Sequence, residues 1–373
     1  MPTHSPLLRR LMAREDLTRR EAALLVEEIL RDDAAGWRIL AFSVAAETKG
    51  ETLDEMMGIL DGMGALTGRY PIGFPDELMD ISSSGGSGVR KINVSTLATL
   101  VVGEPGLAIA KQSFWGITSV TGSADVLRAV GIEVPALTLG QLETVLRGIG
   151  IAFLSPVFLS PELANLSHFG QELGRQAVGV STPFHLAVPI FTPFRLKYRM
   201  FGLPKPHQLE MLRDIFHALG YQSALAVCGL DGLDEVSLSA PSRLRGFKDG
   251  EELDWTLTPE QAGLRTVPAA AVAPVDARSN VRDFLRIAHG VETGPKRDLV
   301  ALNAGVALFL TGRARSIPEG VEMAVSRLAS GDVARKLAAL VAAVGSPAIL
   351  EAARQEALGA GQEAPGTEAG RSI

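Results

Sequence analysis

Up to about residue 70, apolar and polar positions alternate with a helical period. Thr18-x-x-Glu21 and Thr52-x-x-Glu55 have the form of capping boxes, in which hydroxyl and carboxylate satisfy the free N–H groups of a helix start. Each opens a segment with apolar residues three and four apart. Gly68 through Pro75 breaks the pattern. From Asp80 onward, short apolar runs alternate with helical stretches. Leu107–Ala110, Ile151–Leu154 and Ala224–Val227 read as buried strands, and Ala124–Ala129 and Leu139–Leu146 as helices. This order predicts a small N-terminal helical domain, then a larger α/β domain with a central, mostly parallel sheet covered by helices. From residue 356 the chain is Gly, Ala, Glu and Pro without periodicity and reads as a disordered tail.

Composition narrows the class. At 373 residues the chain exceeds the usual size of a single core, so two domains are expected. Apolar residues make up 46% and aromatics only 5%, so aliphatic packing must dominate. Lys and Arg total 36 against 42 Asp and Glu, a net charge of −6 that offers nucleic acid no general attraction. The one cysteine, Cys228, sits in an apolar run and reads as a small buried hydrophobe. A disulfide framework is thereby excluded. No signal peptide and no membrane-spanning run is evident, and a soluble cytoplasmic protein is expected.

Two loops carry the chemistry. The first, Asp80 to Gly88, runs Asp-Ile-Ser-Ser-Ser-Gly-Gly-Ser-Gly and leads to Asn93-Val-Ser95-Thr96 at the head of a helical run. The second spans Lys111 to Asp125, with Gly116, Thr118, Ser119, Thr121 and Gly122-Ser123. Glycine lets the backbone approach a ligand, and free N–H groups with hydroxyls then suit phosphate oxygens. Such stretches also serve as plain turns.

These pieces resemble the anthranilate phosphoribosyltransferase family, which has a GTGGD loop followed by N-x-S-T, then KHGNR followed by SGSAD. Asn93-Val-Ser95-Thr96 and Gly122-Ser123-Ala124-Asp125 match outright, and Gly85-Gly86 and Lys111 fall in register. Lys49-Gly50-Glu51-Thr52, the Gly229 to Glu235 segment, Leu302-Asn303-Ala304-Gly305 and Glu319-Gly320-Val321 extend the resemblance over most of the chain. The resemblance implies a glycosyltransferase fold of the nucleoside phosphorylase and phosphoribosyltransferase type. It divides the chain into a helical domain, 1–73 with a second segment at 161–202, and a phosphoribosyl-binding domain, 74–160 and 203–355. It implies phosphoribosyl pyrophosphate bound by Ser84, Gly85, Gly86, Asn93, Ser95, Thr96, Lys111, Thr118 and Ser119. Pairing as a homodimer through the helical domain is also implied, and Leu7, Leu8, Leu11 and Met12 are spaced to serve either that contact or the core.

Asp234-Glu235 follows a strand and a turn, and adjacent carboxylates there suit a hard divalent cation. They equally suit a solvated acidic turn. In the family the equivalent pair binds magnesium with the serine of N-x-S-T, which implies Mg2+ at Ser95, Asp234 and Glu235.

The departures lie at the chemistry. GTGGD becomes Ser83-Ser84-Gly85-Gly86-Ser87, with the carboxylate lost, and KHGNR becomes Lys111-Gln112-Ser113-Phe114-Trp115. A family G-x-R-T-x-F-N stretch appears with Ser181 for arginine and His185 for asparagine. The family's anthranilate-contacting arginine aligns with Arg175, or with Gly170 in a second alignment. The acceptor pocket is thus Gln112, Phe114, Trp115, Arg175 and His185. Its shortage of charge-assisted donors argues against a planar carboxylate such as anthranilate. Phe114 and Trp115 either stack on a flat acceptor or fill the gap between domains. The leading expectation is magnesium-dependent phosphoribosyl transfer to an unknown acceptor other than anthranilate. The alternatives are a non-enzymatic nucleic-acid-binding relative and a pyrimidine nucleoside phosphorylase-like enzyme.

Overall fold

A computed structural model describes residues 4–32, 36–67, 77–85, 87–116, 121–134, 137–154, 160–166, 169, 182–192 and 194–359. Four helices come first: α1 (His4–Met12), α2 (Arg19–Asp32), α3 (Trp37–Lys49) and α4 (Leu53–Thr67). Both predicted capping boxes form. The Glu21 carboxylate accepts the Thr18 N–H at 2.9 Å, and the Glu55 carboxylate accepts that of Thr52 at 2.9 Å. Glu55 also accepts the Leu17 N–H at 2.9 Å, so one carboxylate ties the start of α4 to that of α2. Leu11 is buried, Leu7 and Leu8 pack half-buried against the bundle, and Met12 is exposed.

The α/β part begins with β1 (Leu78–Ser83), α5 (Val94–Val102), β2 (Ala108–Gln112), α6 (Ser123–Ala129), α7 (Leu139–Gly148) and β3 (Ile151–Leu154). After α8 (Pro183–Ile190) come β4 (Tyr198–Gly202), α9 (Leu209–Ala218) and β5 (Ser223–Gly229). The hairpin β6 (Ser242–Lys248) and β7 (Glu251–Leu257) precedes five closing helices: α10 (Ala277–Ala288), α11 (Pro295–Leu310), α12 (Ile317–Ala329), α13 (Asp332–Val344) and α14 (Pro347–Gly359).

The seven strands form one sheet in the order β3-β2-β1-β4-β5-β6-β7. The first five are mutually parallel, and β6 and β7 add antiparallel. Side chains alternate across the sheet as the two-residue period demands. Met200, Leu225 and Val227 face a core shared with α5 and the C-terminal helices. Phe201, Ala224, Ala226 and Cys228 face a second core continuous with the helical bundle and α9. Each fully buried aliphatic side chain contributes about 1.5–3 kcal/mol, so both faces stabilise the sheet.

The tail expected from 356 begins inside a helix. Glu351 to Ala357 is rich in strong helix formers, and α14 packs against α10 with Ala357 buried. Among the described residues no helix is long and apolar enough to cross a membrane.

Candidate active site

Strand order reverses at β1: the chain proceeds from β1 outward to β2 and β3, then returns to place β4 on the opposite side of β1. A crevice opens at the carboxyl ends of strands where such a reversal occurs, and ligands of α/β sheets bind there. The expected site loops follow β1, β2 and β5 and meet at this edge.

Glycine makes the meeting possible. A Cβ on Gly202, the last residue of β4, would overlap the Asp234 carbonyl oxygen. The loop after β5 can therefore cross directly over β4. Gly85 has φ of +71° and donates its N–H to Asp234 Oδ2 at 3.1 Å, joining the loops after β1 and β5. On the far side, Asn303 of α11 holds the same loop. Its side chain accepts the Val236 N–H and donates to the Val236 carbonyl, each at 2.9 Å.

Asp234 and Glu235 are both buried, and the Lys91 ammonium lies between them, 2.7 Å from Asp234 Oδ1 and 3.1 Å from Glu235 Oε1. Burial works against the Lys91 charge, yet the two carboxylates hold its pKa above the ordinary lysine value. Burial likewise works to raise Asp234, and the Lys91 charge overcomes it and keeps that carboxyl low. Burial raises Glu235, against Lys91 and with help from the Asp234 charge. One ammonium thus serves two acids unequally.

Around this pair lie further buried ionisable groups. Asp80 lies buried at 2.8 Å from buried Arg199, and Ser82 Oγ donates to Asp80 Oδ2 at 2.6 Å. Lys111 is buried at the end of β2, where burial pushes its pKa below the ordinary value against the pull of Asp80 and Glu235. Three acids, Asp80, Asp234 and Glu235, therefore share the interior with Lys91, Lys111 and Arg199.

The phosphate-type donors stand alongside. Asn93 precedes α5, and Ser95 and Thr96 occupy its buried first turn. Asn93 Oδ1 accepts from Asn280 Nδ2 at 2.7 Å and from Thr121 Oγ1 at 3.3 Å, so the N-x-S-T segment is fixed to α10 and to the second loop. Thr96 Oγ1 is buried without a hydrogen-bond partner. Asp125 accepts the N–H groups of Gly116 at 2.9 Å and Gly122 at 2.7 Å, and Ser123 Oγ accepts that of Phe114 at 3.1 Å. The Gly122-Ser123-Ala124-Asp125 segment thus folds the second loop back on itself. A Cβ on Gly122 would overlap the Phe114 carbonyl oxygen.

The expected acceptor residues divide. Gln112 is buried and its Nε2 donates to the Phe191 carbonyl, tying β2 to the segment after α8. His185 Nδ1 accepts the Thr182 N–H at 2.9 Å, the role of a helix-capping residue in α8. Phe114 and Trp115 are half-buried, and Trp115 lies under the Arg128 guanidinium, 4.1 Å from its ring centre. Gly86, Thr118, Ser119 and Arg175 lie outside the described residues.

Lys91, Asn280 and Arg199 complete the site with Asp80, which opens the first loop, although the sequence does not mark the first three as site residues. Lys197, Tyr198 and Arg199 read from the sequence only as residues near a hinge between domains. Lys91 left one signal, a basic residue two positions before Asn93, but no pattern links it to a pair 144 residues away.

Comparison with known proteins settles the kinship. The model of the glycosyl transferase family, a/b domain, matches residues 75–334, and that of the family's helical bundle domain matches residues 5–66. An anthranilate phosphoribosyltransferase of Afipia carboxidovorans is 32% identical over 342 residues, covering 92% of this chain and 99% of the relative. The chain belongs to the anthranilate phosphoribosyltransferase family. A second such relative, from Exiguobacterium sibiricum, is 34% identical over 310 residues, 83% of this chain and 89% of its own. Among solved structures, the anthranilate phosphoribosyltransferase of Thermus thermophilus superposes with a TM-score of 0.81 at 28% identity, covering 92% of this chain and 99% of that one. That of Saccharomyces cerevisiae, in complex with PRPP and Mg, shares the fold with a TM-score of 0.81 at 19% identity, covering 92% and 98%.

Magnesium at Ser95, Asp234 and Glu235, as the family resemblance implies, meets a specific obstacle in this member. One oxygen of each acid, Asp234 Oδ1 and Glu235 Oε1, is already engaged by the Lys91 ammonium. Among the described residues no cluster of three or more His, Cys, Asp or Glu could hold a metal. The donor set as it stands does not fit a protein-held dication.

Proposed function

We propose that this family member binds phosphoribosyl pyrophosphate in the crevice at the carboxyl ends of β1, β4 and β5, and transfers its phosphoribosyl group to an acceptor other than anthranilate. The observation that carries the reading is the convergence of Gly85, the Asn93-Val-Ser95-Thr96 helix start and the Lys91–Asp234–Glu235 cluster at the topological switch point. Backbone N–H groups and helix N-termini favour phosphate oxygens, and the unpartnered Thr96 hydroxyl adds a donor. In the reaction an acceptor's lone pair forms a bond to ribose C1 while the bond from C1 to the pyrophosphate oxygen breaks. Pyrophosphate leaves with that electron pair, and the acceptor's proton passes to solvent. Holding the partners in line supplies much of the acceleration.

The names of the relatives point to anthranilate; the second loop points away from it. Gln112 is committed to a main-chain carbonyl and Trp115 to Arg128, so neither offers a free charged donor to a carboxylate. The test is calorimetric titration of phosphoribosyl pyrophosphate, followed by an acceptor assay that includes anthranilate. Saturable binding that Asn93→Ala weakens at least about tenfold, without anthranilate turnover, is expected. No heat at millimolar ligand together with no thermal stabilisation would remove the reading. Anthranilate turnover would remove its acceptor half.

We also infer a homodimer formed through the helical domain, where Met12 and Trp37 are exposed. Sedimentation equilibrium should return twice the chain mass, and a monomer at micromolar concentration would contradict it.

A further inference from the structure

We propose that Lys91 is a built-in counter-ion that takes the place of a divalent cation at Asp234 and Glu235, so that this protein does not itself hold a metal at that pair. The inference deepens the proposed function and rests on it only for the location of the site.

The geometry is that of a cation site with an ammonium in it. Nζ sits within 3.1 Å of one oxygen from each acid, and all three side chains are largely or wholly withdrawn from water. A dication competing for the same oxygens would have to expel the ammonium. Nearby, the Asp80 carboxylate is already paired with Arg199. Expulsion would leave the ammonium in buried surroundings without its two carboxylates. Isolated charge is costly in such surroundings, so the pair favours its resident lysine. The second Asp234 oxygen is not free either, because it accepts the Gly85 N–H at 3.1 Å.

The consequence reaches the ligand. A pyrophosphate entering this crevice meets an ammonium and backbone donors at the acidic pair, and any metal it carries must come coordinated to the ligand. The loss of the GTGGD carboxylate fits this arrangement, because Ser87 supplies no charge for a cation and donates its hydroxyl to the Val89 carbonyl at 3.2 Å.

Manganese alone, followed by the electron paramagnetic resonance of the free ion, tests the proposal without a sugar phosphate. Wild-type protein is expected to leave millimolar manganese free of any site that D234N/E235Q abolishes. Lys91→Thr, which replaces the ammonium with a small neutral side chain and vacates the carboxylates, should bind manganese at least about tenfold tighter than wild type. That gain should vanish in K91T/D234N/E235Q. The melting temperature of K91T should rise with manganese while that of the wild type stays level. Manganese binding by the wild type that is lost in D234N/E235Q would overturn the proposal, and so would a folded K91T that gains none. The wild-type comparison is decisive even if K91T does not fold. Because no sugar phosphate is present, its outcome is independent of whether phosphoribosyl pyrophosphate binds.

Discussion

Arg199 is the largest fully buried side chain of the described residues, and polar groups hold its guanidinium. That group pairs with Asp80 at 2.8 Å, donates to the Ile190 carbonyl at 2.7 Å and the Pro189 carbonyl at 2.5 Å, and reaches Tyr221 Oη at 3.3 Å. One residue thereby fixes β1, β4 and the end of α8 together. Removing one partner of a buried ion pair leaves the other charged and dry, at a cost of about 3–5 kcal/mol. Arg199→Met is expected to lose that much stability in urea unfolding, and a loss under about 1 kcal/mol would contradict the role. Lysine cannot reproduce the planar fork, so Arg199→Lys should recover only part of it. The sequence places Arg199 just after Arg195, Lys197 and Tyr198, and nothing local marks it as buried. Its partner Asp80 lies 119 positions earlier by numbering, across a strand pairing that the sequence does not state.

Elements differ in how far their pattern reveals them. β2, β3 and β5 were readable because they are short apolar runs buried on both faces, the mark of strands in a parallel sheet covered on both sides. β1 carries Asp80 and two serines, so its pattern does not look like a core strand, although it lies in the middle of the sheet. The β6–β7 hairpin alternates with charged residues and has one face open to solvent, which hides it from a search for buried runs. α11 shows what an element can do beyond packing. Asn303→Ala would leave the Val236 N–H and carbonyl without partners, at about 1–3 kcal/mol for each stranded group. Urea unfolding should show that loss, and the freed acidic loop should bind phosphoribosyl pyrophosphate more weakly. Unchanged stability would mean that the loop is held by something other than α11.

At the scale of the whole molecule, two cores grip opposite faces of one sheet, and the site lies at the sheet's carboxyl edge. The family kinship was readable because ordered motifs follow one another along the chain. The acidic pair's contact with Lys91 was not, because Lys91 and Glu235 stand 144 positions apart. Burial in the second core also governs behaviour at high pH. It pushes the Cys228 thiol up to about 11 from 9.0, further raised by Asp231 and Asp234. The folded protein then keeps its thiol proton while the unfolded chain releases it, so this contribution is complete below pH 9 and is lost as pH rises toward 11. The change is on the order of 2 kcal/mol, and Cys228→Ala should flatten that part of the alkaline stability profile. A slope unaltered by the substitution would place its origin elsewhere.

The most direct measurement is a crystal structure determined after soaking with phosphoribosyl pyrophosphate and magnesium. The pyrophosphate is expected against Gly85 and the Asn93-Val-Ser95-Thr96 helix start, with Lys91 still between Asp234 and Glu235 and any magnesium carried on the ligand. A crevice without ligand at millimolar concentration, or a ligand bound away from this edge, would contradict the account.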